Sequence, residues 1–511
     1  IGGVINIITD DVKNAINVSS DTRYASKGRF TQSVNIDVNT GKFGSYTSYR
    51  RQQAEGWQLN PYEENSKTHE LEETGKVAST GFYANTVNQK FTFDATDKLS
   101  FYARGGYYDN KTRRPYEAYD YNILHETFNY GIGAQYMINK GNYITADCYA
   151  DHFSSSYCFF KDNKTYNGKA GEEQVRKRTR NHNLSIKGIF KLGNRHKLSV
   201  GTEYIVDVLK SQTDNIAKED AYTLALFAQD EIKLLRNLQA LIGVRYIYHE
   251  NFKNHATPNV ALMYKPGKFN FRASYAAGFR TPTLSELYAT DIAKKNDRLT
   301  IGNLDLKPEK NNYFSLSAEY VHERFSVSVN AFYNNIRDMI DYNTIATGDK
   351  AMEQYGHKEV RQRDNIAEAK VHGINVSANA YLGAGFNLSG GYTHLNTQDV
   401  ELEQPIDKSI KNAYNINAQW AHSWKIYRLN INLNGRINSK RFSKSYGYAP
   451  EYQLWDLNTR HSFNLKSVII EPGCGMENLF DYMDDRPYNS NYATLTPGRS
   501  FYISLSLKFK S

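Results

Sequence analysis

Three cysteines in 511 residues, Cys148, Cys158 and Cys474, are too few for a disulfide framework, and the odd count leaves at least one thiol free within the monomer. If Cys148 and Cys158 share one extended stretch they stand about 33 Å apart at roughly 3.3 Å per residue, so a bridge between them requires a turn. Long apolar runs are missing too. No stretch approaches the roughly 18 residues of a spanning helix, which excludes a helical membrane protein. Charge of one sign is not concentrated: Lys+Arg 63 against Asp+Glu 54 leaves +9 spread along the chain, which argues weakly for an anionic surface and hardly at all for nucleic acid. There is no Ser-His-Asp order, no H-E-x-x-H, no P-loop and no cysteine pair at zinc spacing. No signal peptide is visible and the first residue is Ile, so the chain is expected to be the remainder of a longer one whose export signal lay upstream.

What the sequence has is aromatic residues, 40 Tyr, 25 Phe and 4 Trp, in a chain whose mean hydropathy is −0.66. That is too aromatic for a disordered polymer and too polar for a thick apolar core. A sheet with one wet face and one lipid-facing, aromatic-rimmed face reconciles the two, with a large soluble all-β protein as the competing reading.

Period-2 alternation runs from end to end. Leu99, Phe101, Ala103, Gly105 and Tyr107 interleave with Ser100, Tyr102 and Arg104. Phe501, Ile503, Leu505, Leu507 and Phe509 interleave with Tyr502, Ser504, Ser506 and Lys508. Short connections carry turn residues: Asn39-Thr40-Gly41-Lys42, Ala95-Thr96-Asp97, Asn139-Lys140-Gly141, Gly193-Asn194-Arg195, Leu235-Arg236-Asn237, Pro266-Gly267-Lys268, His322-Glu323-Arg324, Gly383-Ala384-Gly385, and positions near Ser423 and Asn464. Between them lie longer polar segments, approximately 19–28, 51–80, 109–126, 154–180, 208–219, 247–256, 277–312, 341–366, 395–411, 437–451 and 482–498. About 21 alternating connections predict an antiparallel transmembrane barrel of about 22 strands, with short periplasmic turns, long extracellular loops and both termini on the periplasmic side.

Four stretches, in order, resemble the TonB-dependent outer-membrane receptors. Ile1-Gly2-Gly3-Val4-Ile5-Asn6-Ile7-Ile8-Thr9 is similar to the end of that family's plug domain. Leu226-Phe227-Ala228-Gln229-Asp230-Glu231 with Gly243-Val244-Arg245-Tyr246 is similar to a mid-barrel hairpin. The box from Arg272 through Gly278-Phe279-Arg280-Thr281-Pro282 to Tyr288, then Asn303-Leu304-Asp305-Leu306-Lys307-Pro308-Glu309, and Glu477-Asn478-Leu479-Phe480-Asp481 with Pro497-Gly498-Arg499, complete the set. Lys510 and Ser511 follow Phe509 where the family usually ends on an aromatic. The resemblance implies residues 1–10 as a plug remnant, 11–511 as the barrel, and an integral place in the bacterial outer membrane. It also implies active uptake of a large scarce nutrient driven by the TonB-ExbB-ExbD complex through a plug, with outer-membrane lipid, lipopolysaccharide and a surface lipoprotein as further partners. It implies no enzymatic activity and no cofactor.

The segment from Tyr108 to Tyr121 resembles the cobalamin receptor of the family and suits a bulky planar ligand, because tyrosines offer flat faces with hydroxyls and arginines stack or donate in a fixed fork. Arg113, Arg114, Tyr116, Tyr119, Tyr121, Tyr157 and Lys161 are the expected ligand-binding loop residues, for a corrinoid first and a ferric siderophore second. Packing of these rings on one another and on lipopolysaccharide is the competing account of about half of them. Asp109, Glu117 and Asp120 are weak calcium candidates, lacking the close Asp pairing that oxygen coordination favours. Arg280 and Glu286 are expected to tie wall to plug, and Arg104, Arg245 and Arg272 to face the lumen and meet plug carboxylates or water. The alternatives are a passive plugless channel, a haem receptor using His69, His125 or His357, and a rim hydrolase.

Overall fold

A computed structural model of the chain describes residues 15–510 apart from 66, 67, 294–296, 493 and 495. The segment read as plug, 1–10, lies outside the described residues. Twenty-two long strands pair antiparallel, each with its sequence neighbours, from Ile16–Ala25 through to Ser500–Lys510. Asn17 stands opposite Lys510 and Ala25 opposite Tyr502, so first and last strands pair and the sheet has no free edge.

Alternation sorts the residues between lipid and lumen. On Tyr121–Asn139 the exposed Phe128, Tyr130, Ile132 and Tyr136 point outward. Asn129, Gly131, Gly133 and Gln135 point inward, where Gly133 leaves room for the Tyr102 ring. Along the wall formed by residues 17–149 the lumen holds a polar cavity of about 1490 Å³ lined by Asp37, Lys90, Tyr102, Arg104, Asp147 and Tyr149 among others. Short turns fall where the sequence places them: Gly41 and Gly141 take φ of 90° and 95°, a region that costs glycine nothing.

The outer rim differs from expectation in one respect. Segments 19–28, 208–219 and 247–256 are mostly strand, and their connections shrink to residues 26–28, 212–215 and 250–252. Lys27 and Gly28 both adopt positive φ, 63° and 59°, and turn the chain tightly. The same extension affects the other loops: Phe325–Thr347 and Glu359–Gly383 are 23 and 25 residues long, where about 9–11 cross a bilayer. Above the lipid both faces meet water, so the apolar alternation fades from the sequence while the hydrogen-bond ladder continues.

The external segments pack on one another. Leu287 buries against Leu306 and Ile340, and Ala346, Ala351 and Val360 form a second small core under the helix Gly348–Tyr355. The strand Arg298–Ile301 pairs antiparallel with Thr290–Ala293 and parallel with residues Glu359 to Gln362 of the long strand, which straps segment 281–308 across to that wall.

Candidate functional site

Two arginine-tyrosine clusters stand at the external mouth. In the first, Ile123 opposes Tyr157 and Tyr121 opposes Phe159, so Tyr121 and Tyr157 are diagonal neighbours on one face of the wall. Their rings stack at 4.1 Å between centroids, and Tyr166, from residues 160–172, meets both edge-on at 5.8 and 5.2 Å. The Arg176 guanidinium lies 5.3 Å over Tyr157 and 5.0 Å over Tyr166, and Arg114 lies 4.8 Å over Tyr119 and 5.2 Å over Tyr121. Burial, and then the neighbouring Tyr121 and Tyr166, push the Tyr157 phenol up, so it stays a neutral hydrogen-bonding group at physiological pH.

The second cluster lines a cavity of about 270 Å³ bounded by Lys177, Arg298, Arg361 and Arg363, with Tyr342, Asp214 and Asp291. Arg361 is paired with Glu359 and Lys177 with Asp214, so four cations meet three carboxylates and the balance is basic by one charge. Arg363 stands directly opposite Tyr342, 3.5 Å from the ring centroid, and donates to its hydroxyl at 2.6 Å. Lys177 reaches Asp214 and Ser285, both at 3.5 Å. A register shift between Val175 and Lys177 gives Arg176 and Lys177 to different clusters, so two consecutive cations serve the mouth together.

Of the residues expected from sequence, Tyr121, Tyr157, Arg114 and Tyr119 meet in the first cluster. Tyr116 and Lys161 form a separate contact, the Lys161 ammonium 3.9 Å over the Tyr116 ring and donating to its carbonyl, with Phe160 stacked at 5.5 Å. Arg113 ends the strand Leu99–Arg113 and donates to the Ala54 carbonyl at 3.2 Å. Tyr157, Tyr121, Arg113 and Asp109 thus sit on strands rather than in loops. Asp109 accepts from Asn85 at 3.1 Å and Asp120 from Asn163 at 2.7 Å, and among the described residues no group of three His, Cys, Asp or Glu is placed to hold a metal ion. His69 contacts Glu64 at 2.7 Å, His357 contacts Asp297 at 2.9 Å, and His125 stacks on Phe153. The sequence does not single out Tyr166, Arg176, Tyr342, Arg298, Arg361 and Arg363. Their signal was faint, an Arg or Tyr inside a polar segment, and only strand register and the strap bring them together.

Arg280 is fully engaged within the barrel. It donates to Glu286 at 2.8 and 3.2 Å and to Glu309 at 2.8 and 2.6 Å, latching the base of segment 281–308. Thr283 caps the helix Leu284–Tyr288, and Glu286 returns the bond to the Thr283 N–H at 2.8 Å. Burial alone would raise the Glu286 carboxyl, but the bonds from Arg280 and the Thr283 backbone prevail and hold it below the usual carboxylate range. In the lumen Arg245 pairs with Glu203 of the wall itself, Arg272 stands 3.9 Å from Glu319, and Arg104 lies 4.8 Å over Tyr149.

A closed 22-stranded barrel with a polar lumen, tight inner turns and a structured external mouth defines an outer-membrane barrel. Residues 25–471 match the family described as TonB dependent receptor-like, beta-barrel, and the chain belongs to that family. It is an integral outer-membrane protein of a class that works with TonB energy transduction and binds nutrient ligands. Among solved structures it is similar to a mutant of the ferric enterobactin receptor PfeA from Pseudomonas aeruginosa, with a TM-score of 0.84, 16% identity, and coverage of 99% of this chain and 82% of that one. It is also similar to the siderophore receptor PirA from Acinetobacter baumannii (TM-score 0.78, 16% identity, 99% and 82% covered) and to the copper transporter OprC (0.75, 11%, 97% and 81%). At these identities the likeness is one of fold. The family and these structures are receptors and transporters rather than enzymes.

Proposed function

We propose that this barrel imports an anionic ferric siderophore, taken up at the external mouth and driven through TonB by way of a plug. The observation that carries the reading is the mouth's composition: stacked neutral tyrosines beside arginines in one cluster, four cations to three carboxylates in the other. Flat aromatic faces suit catecholate-like rings, and fixed guanidinium forks suit the oxygens of a negatively charged chelate. Siderophore receptors among the similar folds support the same direction. The sequence ranks a corrinoid ahead of an iron chelate; the basic mouth reverses that order, since a corrinoid carries no comparable negative charge. In this reading Arg280 and Glu286 serve the plug indirectly, by fixing the loop base above it, and residues 1–10 are the end of that plug.

The test is direct titration of the purified protein with ferric catecholate and ferric hydroxamate chelates, cobalamin and haem. Saturable binding of a ferric chelate, weakened by raised salt, is expected. Binding of cobalamin or haem alone would reject the siderophore assignment.

A further inference from the structure

Outside the mouth, one part of the outward face carries charge the fold does not neutralise. The strand Glu173–Leu192 runs from the mouth down to the inner rim, and its outward residues, from the bottom, are Phe190, Gly188, Ile186, Leu184, His182, Arg180 and Arg178. Leu184 and Ile186 are 48% and 45% exposed, as lipid-facing residues of a lone chain must be. Counting about 9–11 residues up from Leu192 places the top of the hydrocarbon near Leu184 to His182, so Arg180 and Arg178 stand in the headgroup layer. On the next strand Tyr204, Val206 and Val208 lead up the same face to Lys210, which lies directly opposite Arg178.

Two cations directly opposite on one sheet face repel. Arg178, Arg180 and Lys210 are exposed, and among the described residues none of them has an ion-pair partner. The nearby carboxylates make other contacts, face elsewhere or stand farther up the wall, as does Glu173, which lies opposite Cys158 beyond the register shift and accepts from its thiol at 3.9 Å. Asp220 pairs with Lys218 at 3.2 Å, Asp207 accepts from Asn181 on the lumen side at 2.7 Å, and Glu126, two strands away behind Ser154, accepts from Tyr107 at 2.8 Å. On the other flank Arg180 opposes His152, whose ring lies 5.5 Å from that of His182, so the neighbours add donors rather than negative charge. The contrast lies across the barrel: Lys310 and Arg337 also oppose each other, but Glu368 stands 4.0 Å from Arg337.

We infer that Arg178, Arg180 and Lys210 form a seat for the phosphate-bearing headgroup of an outer-leaflet glycolipid. Cross-strand neighbours about 5 Å apart and same-face neighbours about 7 Å apart hold three cations within the span of one sugar phosphate. The apolar ladder of Leu184, Ile186, Tyr204 and Val206 directly below receives the acyl chains. Phosphate thus supplies the counter-charge that the protein lacks here, and the lipid's tails fix its height.

The test uses the purified full-length protein in detergent, titrated with phosphorylated lipid A, with the same lipid stripped of its phosphates, and with inorganic phosphate. Wild type is expected to bind the phosphorylated lipid about a hundredfold more tightly than the R178Q/R180Q/K210Q variant does, at roughly fivefold per cation. Replacing Arg178 and Arg180 by Lys is expected to change affinity only a few-fold. Heat-modifiable gel migration and ferric-chelate binding unchanged in the Gln variant establish that it is folded, and if it fails to fold the Lys variant and the dephosphorylated lipid carry the comparison. Equal binding of the two lipids, or equal binding by wild type and the Gln variant, would overturn the seat. So would inorganic phosphate binding as tightly as the lipid.

Discussion

Tyr157 and Arg176 illustrate how much the mouth depends on single side chains. The phenol is neutral, stacked on Tyr121 and covered by Arg176, so the cluster presents a preformed flat surface with a fixed cation. A stacked aromatic contributes about 0.5–1.5 kcal/mol beyond its area, and a cation over a ring about as much. Tyr157→Ala and Arg176→Ala are therefore each expected to weaken ferric-chelate binding by about tenfold, read by titration, with the barrel's gel migration unchanged. Tyr116→Ala with Tyr119→Ala is expected to weaken binding less, since Tyr116 lies against Lys161 and Phe160, away from the stacked pair. A larger loss in the Tyr116/Tyr119 variant than in Tyr157→Ala would move the site outward along residues 114–120.

At the scale of the element, the base of the strap from 281 to 308 is held by one guanidinium shared between Glu286 and Glu309. Arg280 is about one-third exposed, so the full cost of breaking a buried pair does not apply, and Arg280→Ala is expected to cost the strap about 1–2 kcal/mol. Faster hydrogen exchange across 281–308, relative to the transmembrane strands, is the readout. The Glu286 carboxyl is more acidic in the latched strap than when released, so its stabilisation is complete above the ordinary glutamate value of about 4.3 and is lost as pH falls through the lowered one. Protection of 281–308 is expected to hold from neutral pH down to roughly 4.5 and to fall below it; protection that rose on acidification would contradict the latch. The box containing Arg280 and Glu286 is recognisable in sequence because a strand end, a Pro and a capping pair are local signals. The strap's pairing with Glu359–Gln362 is not, since a four-residue parallel contact between segments some sixty residues apart leaves no periodic trace.

For the whole molecule, most inner turns are legible because their loops are two to four residues long and place Gly where φ turns positive, as at Gly41, Gly141, Gly193 and Gly267, whereas the turns that put Lys425 and Lys466 there are the two that the sequence marks only as positions near Ser423 and Asn464. Strand number and closure follow from counting them. The outer strand ends are not legible, because wet β-structure has no apolar face, and this is why Tyr157 and Arg113 read as loop residues and lie on strands. The barrel carries three unbridged thiols. Cys148 stands opposite the exposed Ile132 and Leu184, and Cys474 opposite the exposed Ile503, on the lipid face. Three thiols per chain are expected in denaturant without reductant, a reductant is expected to leave the unfolding temperature unchanged, and a lipid-soluble maleimide is expected to label Cys148 in preference to a charged one. The central claim, energy-coupled uptake of an iron chelate, is tested most directly by accumulation of radioactive iron from a ferric siderophore into cells whose only receptor is this protein in its native outer-membrane form, with and without TonB. Uptake that requires both this protein and TonB, and that stops when the proton gradient is collapsed, is the predicted result. Uptake that persists without TonB would make the barrel a passive channel and contradict the account.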